Sequence, residues 1–139
     1  MSGAAGDVAV VDTHALIWWL TGKTRRLGRH ARTFLDRVDH GNAIACFPTI
    51  VLVELGEAIQ LGAISLSEPF GRFVSRLAST PSRYRILPLT EDVVVHAHDL
   101  FAISERGDRL IAATALAANL PIITRDPAIA SAAALRRIW

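Results

Sequence analysis

The sequence predicts an α/β fold in which a mostly parallel sheet is covered by helices on both faces. Three observations predict it. Short apolar runs that read as buried strands alternate along the chain with segments of helical hydrophobic spacing, the pattern of parallel strands joined by helical crossovers. No repeat, low-complexity tract or long linker interrupts that alternation. The composition, 51% hydrophobic and 20% charged over 139 residues, is globular and fits one domain spanning 1–139, large enough to bury a core without staples.

The elements follow in order. Val8–Val11 is a short apolar run closed by Asp12 and reads as the first strand. Thr13–Leu20 reads as a helix and residues 21–26 as a polar loop. Leu27, Ala31, Phe34, Leu35 and Val38 recur at helical spacing, and Gly41 ends that helix. Residues 43–47 read as a second buried strand, followed by a helix over 49–61 that Gly62 stops. Phe70, Phe73, Val74 and Leu77 mark a helix that ends before Pro81, and Tyr84–Leu87 is a short strand before Pro88. Val93, Ala97, Leu100 and Phe101 mark the next helix. Residues 108–118 form a helix apolar nearly all round, hence buried; 121–124 and 135–138 read as the closing strands.

Several function classes drop out. The longest apolar stretch, residues 44–53, is broken by Pro48 and falls short of the roughly 20 residues a membrane-spanning helix needs. The N-terminus lacks a basic region and carries Asp7 early, unlike a signal peptide. A single cysteine, Cys46, excludes an internal disulfide, fits a reducing cytosol, and reads as an inert thiol in an apolar strand; a cytoplasmic location is expected. No glycine-rich phosphate loop is present, which argues against an NTPase. The net charge of +2 names no partner, but 14 of the 15 basic residues are arginine. Arginine forks suit phosphate and nucleic acid; a codon preference explains the bias equally well.

In open parallel sheets, ligands bind beyond the carboxyl ends of the strands. Asp12 stands there after the first strand, and Asp126 follows a later one in Ile123-Thr124-Arg125-Asp126. Taken singly, each reads first as a helix N-cap, and Asp108, which opens a helix, carries the same alternative. Glu54 is different: Ile50, Val51, Leu55 and Ala58 surround it on its helix, and a carboxylate on such a face is costly unless it is paired or binds metal. Its alternative is a buried ion pair with Arg109 or Arg125. Glu57 reads as a solvated residue. Jointly, Asp12, Glu54, Asp108 and Asp126 are brought towards one sheet edge, where they would repel without a cation. An all-oxygen carboxylate set suits Mg²⁺ or Mn²⁺, which activate water and stabilise in-line phosphoryl transfer.

The segment Val10-Val11-Asp12-Thr13-His14-Ala15-Leu16-Ile17-Trp18 resembles the opening of PIN domains of the VapC toxin type. Glu54 in Leu52-Val53-Glu54-Leu55, Asp108 in Asp108-Arg109-Leu110-Ile111-Ala112-Ala113-Thr114-Ala115 and Asp126 in Ile122-Ile123-Thr124-Arg125-Asp126 match that family's second, third and fourth acids, and Ile138-Trp139 resembles its close. The resemblance implies a single PIN domain, three-layered, with a sheet of about five strands. It implies a metal-dependent ribonuclease, the toxin of a toxin–antitoxin pair, with RNA as substrate, a homodimeric state and a small antitoxin as partner. Two stretches depart from the family. Ser104-Glu105-Arg106-Gly107 stands where the family often has His-Asp-Pro-Phe, and Phe47-Pro48-Thr49-Ile50 replaces its serine-rich run; both bear on substrate choice. In this reading Asp12 and Asp108 hold the principal metal, and Glu54 and Asp126 complete the pocket and orient or deprotonate the attacking water.

Other residues are candidates around that core. Thr13 and Thr124 flank the acids and could bind substrate phosphate or the attacking water, with helix-start capping as the equal alternative. Arg25 and Arg26, with Arg29 and Arg32 nearby, could grip RNA backbone or form a solvated face. Trp18 and Trp19 are adjacent, so one is a candidate antitoxin or oligomer contact and the other core. His14 packs or caps, and His96 and His98 face different sides of one helix. Three rival functions are a phosphatase or phospho-receiver using Asp12, an RNA-processing PIN nuclease outside a toxin–antitoxin system, and a non-catalytic interaction module. Asp12-Thr13-His14 lacks the second aspartate that phosphatases of that fold use, and no consecutive acidic pair marks a receiver.

Overall fold

The structure is a computed structural model that describes residues 7–139. It forms three α/β layers around a five-stranded, wholly parallel sheet of order β3-β2-β1-β4-β5. In chain order the elements are β1 (Val8–Val11), α1 (Thr13–Leu20), α2 (Arg29–Asp39), β2 (Ile44–Pro48), α3 (Thr49–Gln60), α4 (Phe70–Ala78), β3 (Tyr84–Leu87), α5 (Glu91–Asp99), α6 (Arg106–Ala118), β4 (Ile122–Ile123), α7 (Pro127–Ala132) and β5 (Arg137–Ile138).

The topology positions the site. The chain builds outwards from β1 to β2 to β3, then returns to the other side of β1 for β4 and β5. The direction of building therefore reverses between β1 and β4, which opens a crevice at their carboxyl ends. Val10 and Val11 pair with Ile122 and Ile123, and the Asp12 N–H donates to the Ile123 carbonyl at 3.1 Å. Asp12 is thus held in the ladder one residue beyond its strand. Val10, Val11, Phe47, Ile122 and Ile123 are fully buried beneath it. Helix α6 packs on β1, β2, α3 and α5, which explains why its sequence is apolar nearly all round.

The expected strands and helices are present, with shifted ends. Strands β4 and β5 have two residues each rather than four. The Leu135 N–H bonds back to the Ala130 carbonyl at 2.8 Å, so Leu135 closes α7 instead of entering the sheet. Helix α7 itself was not expected; Asp126 caps it and Pro127 opens it, the position where proline loses no hydrogen bond. Residues 24–26 form one 3-10 turn inside the expected loop. Gly62 stops α3 in the left-handed region, φ 76°, as glycine does after a helix C-terminus. Among the described residues no helix is long and apolar enough to cross a membrane.

Candidate active site

Asp12 is both a cap and a cleft residue. One carboxylate oxygen accepts the Ala15 N–H at 2.8 Å, and the Thr124 hydroxyl donates to the same group. Burial pushes its carboxyl above the usual range, opposed by these hydrogen bonds and by His14. Asp126 likewise caps α7, accepting the Ala128 N–H at 2.8 Å, yet it is exposed on the cleft. Capping and lining the cleft are compatible at both positions.

Asp108 is not a cap, which corrects one alternative left open by the sequence. Helix α6 starts two residues earlier, at Arg106, because the Glu105 carboxylate accepts the N–H groups of Gly107 (3.0 Å) and Asp108 (2.7 Å). Asp108 therefore sits in the first turn, half-buried and facing other acids. Burial, followed by the charges of Glu105, Glu54 and Asp12, raises its carboxyl to about 6. Glu105 is held low by the Asp108 N–H bond above all.

Glu54 is half-buried and accepts the Thr13 hydroxyl at 2.5 Å. The expected alternative, an ion pair with Arg109 or Arg125, does not form. Arg109 donates to the carbonyls of Ile103 (2.9 Å) and Ser104 (3.0 Å), and Arg125 lies over the Trp18 ring. The other Glu54 oxygen reaches the first turn of α6 at Gly107, where an added Cβ would stand 2.3 Å from it. The close approach needs a residue without a side chain.

Two clefts meet at these groups. One, of about 650 Å³, is lined by Asp12, Asp108, Thr124 and Asp126 together with Arg26 and Arg125. The other, of about 460 Å³, is lined by Thr13, Glu54 and Glu105. Asp12, His14 and Asp108 belong to both. Of the four acids expected to act together, Asp12 and Asp108 border both clefts, Asp126 only the larger and Glu54 only the smaller, and among the described residues no three His, Cys, Asp or Glu side chains are drawn tightly enough to hold an ion as they stand. Among the described residues the ion pairs join Arg37 to Asp7 and Arg76 to Glu68; none of the four acids is neutralised in that way.

The remaining candidates divide. The Thr13 hydroxyl serves Glu54, and Thr124, 1% exposed, serves Asp12 while its oxygen accepts the Asp126 N–H at 3.2 Å. Both threonines hold acids in place. Arg26 lines the larger cleft, whereas Arg25, beside it on the 3-10 turn, lines neither. Trp18 is buried and Trp19 half-buried, its indole N–H on Asp39 at 3.2 Å. Sequence reasoning missed Glu105, Gly107 and Arg125 as parts of the site. A glycine in the first turn of an otherwise strong helix pattern was the readable signal for Gly107. For Arg125 it was adjacency to Asp126.

Comparison with known proteins places this arrangement. No curated protein matches the chain significantly. Among solved structures, VapBC2 from Rickettsia felis bound to a promoter DNA fragment matches with TM-score 0.65 and 18% identity, over 94% of this chain and 96% of that one. FitAcB from Neisseria gonorrhoeae matches with TM-score 0.63 and 20% identity, over 95% and 96%. DNA-bound VapBC from Salmonella typhimurium matches with TM-score 0.63 and 20% identity, over 94% and 96%. At these identities the likeness is one of fold. The family model described as PIN domain matches residues 9–135, nearly the whole chain, and the chain therefore belongs to the PIN domain family.

Proposed function

We propose that this protein is a divalent-metal-dependent ribonuclease that hydrolyses RNA phosphodiesters, and that it is the toxin of a VapBC-type pair. PIN domains are nucleases, and the observation that carries the finer reading is that Asp12, Asp108, Asp126 and Glu54 line two clefts that meet at Asp12 and Asp108, with none of the four in an ion pair among the described residues. An all-carboxylate donor set with that much mutual repulsion fits a hard cation such as Mg²⁺ or Mn²⁺. When bound, the ion would supply Lewis-acid polarisation of the scissile phosphate. Asp12 and Asp108, common to both clefts, would hold it. Glu54, fixed by Thr13, would orient the attacking water and take its proton, and Asp126 would complete the acidic pocket.

The metal part of this reading has a readout that does not depend on activity. Millimolar Mn²⁺ relieves carboxylate repulsion only in the folded state, so at about 100-fold excess over Kd it should add about 2.7 kcal/mol, or roughly 5–10 °C in Tm. Identical melting curves in EDTA and in Mn²⁺ would remove the metal site from the proposal.

The toxin part is supported by the family resemblance and by the fold shared with the VapBC and FitAcB structures. A homodimer and a small antitoxin come with it. Trp19 edges a shallow apolar groove with Leu16, Leu20, Phe73, Leu77 and Tyr84, which suits an antitoxin segment better than buried Trp18 does. Expression alone should arrest growth, and co-expression of an antitoxin encoded beside it should restore growth. Robust growth on expression of an RNA-cleaving protein would favour an RNA-processing nuclease instead.

A further inference from the structure

The larger cleft has a second wall that the acids do not explain. Arg26, on the turn after α1, and Arg125, on the link between β4 and α7, approach the same Trp18 ring, each guanidinium 6.0 Å from its centroid. Both line the cleft beside Asp12, Asp108 and Asp126. Among the described residues neither is ion-paired to a carboxylate, despite the acids across the cleft.

The platform beneath them is held from behind. Trp18 is 8% exposed and meets Trp139 edge-on at 6.0 Å. Gly28 makes room for Trp139: a Cβ there would stand 2.4 Å from the Trp139 backbone carbon. The Arg125 link is tied to β5, since the Arg137 guanidinium donates to the carbonyls of Thr124 (3.1 Å) and Arg125 (3.2 Å). A guanidinium resting on an aromatic face is attracted to it and keeps its N–H donors outward. Two such groups on one fixed ring form a preorganised site for an anion.

We propose that Arg26 and Arg125, braced on Trp18, form a phosphate clamp that grips a backbone phosphate of RNA next to the one cleaved. This rests on the ribonuclease reading. A polyanion approaching the carboxylates of this cleft needs positive charge at the rim, and these are the two arginines that line it. The Trp18 ring is too covered to stack a base, so the clamp contributes affinity without sequence preference.

The test is fluorescence anisotropy with a short fluorescein-labelled oligouridylate, in Ca²⁺, over a range of salt, using the parent, Arg26→Gln, Arg125→Gln and the double variant. Each single change should weaken binding about tenfold and lower the log–log salt slope by about 1. An oligoadenylate should lose as much. In cleavage assays the double variant should raise KM more than it lowers kcat. Trp18→Phe should retain binding, and Trp18→Leu, which removes the aromatic face, should lose part of it. Both arginines are exposed, so their variants carry the test even where Trp18→Leu lowers Tm. A double variant with the parent's affinity and slope overturns the clamp while the parent's own cleavage still upholds the nuclease. RNA binding that persists while binding of an oligoglutamate is lost also overturns it, in favour of an acidic partner. A parent that neither binds nor cleaves RNA removes both readings.

Discussion

Asp108→Asn is expected to lower RNA cleavage by about 10²-fold or more, the order seen when one charge-stabilising group is removed from an active site, while the protein stays folded. The fold survives because Glu105, not Asp108, caps α6, and because asparagine is nearly isosteric. Activity falls because an amide oxygen is a poorer ligand for a hard cation, and because Asp108 borders both clefts. The same variant has a pH signature. Between the ordinary value of 3.8 and about 6, the folded protein binds more protons at Asp108 than the unfolded chain does. The charged carboxylate therefore costs stability above about pH 6, and that cost fades as pH falls from 6 towards 3.8. In EDTA the parent should gain stability from pH 7.5 to about 5, and Asp108→Asn should lack this part of the gain. The side chain is partly exposed, so solvent screening reduces the effect to about 1 kcal/mol. Melting curves against pH in EDTA give the stability change, and cleavage of a generic RNA gives the loss of activity. Parent-like cleavage by Asp108→Asn would sink the site.

Much of the fold was legible because the longer strands stand out as short runs: Val8–Val11 closes at Asp12 and Tyr84–Leu87 at Pro88, and their ends in the structure are the expected ones. The two shortest strands were overdrawn, since apolar character at Leu135 reflects packing under α7 rather than pairing. The four acids were legible as a set because topology, not local pattern, brings strand ends together. What held each acid was not legible. The Thr13–Glu54 bond spans 41 residues, and the Thr124 contact to Asp12 crosses from β4 to β1; neither leaves a periodic trace. The Glu105 cap was hidden because glutamate is an uncommon N-cap, so the eye passes to Asp108. Trp18 and Trp19 could be told apart only once α1 had a direction relative to the sheet.

Gly107→Ala should separate the position of Glu54 from the stability of the fold. A Cβ at 107 would lie 2.3 Å from one Glu54 carboxylate oxygen and 3.1 Å from its carbon, so that carboxylate has to swing away. It is the end of a flexible side chain, and the backbone need not move. Alanine also favours the helix over glycine by about 0.5–1 kcal/mol, which offsets the loss of the Thr13 bond. Tm should therefore stay within a few degrees of the parent. Cleavage should not: if Glu54 orients the attacking water as proposed, displacing it by about 1 Å costs on the order of 10²-fold. Glu54→Gln serves as the comparison: it removes the charge without moving the group, and should lose cleavage to a similar degree. Unchanged cleavage by Gly107→Ala, beside a deep loss in Glu54→Gln, would mean that Glu54 acts from a position other than the one Thr13 and Gly107 define. A large fall in Tm would instead place the strain in the α6 backbone and remove the argument that this glycine serves the site.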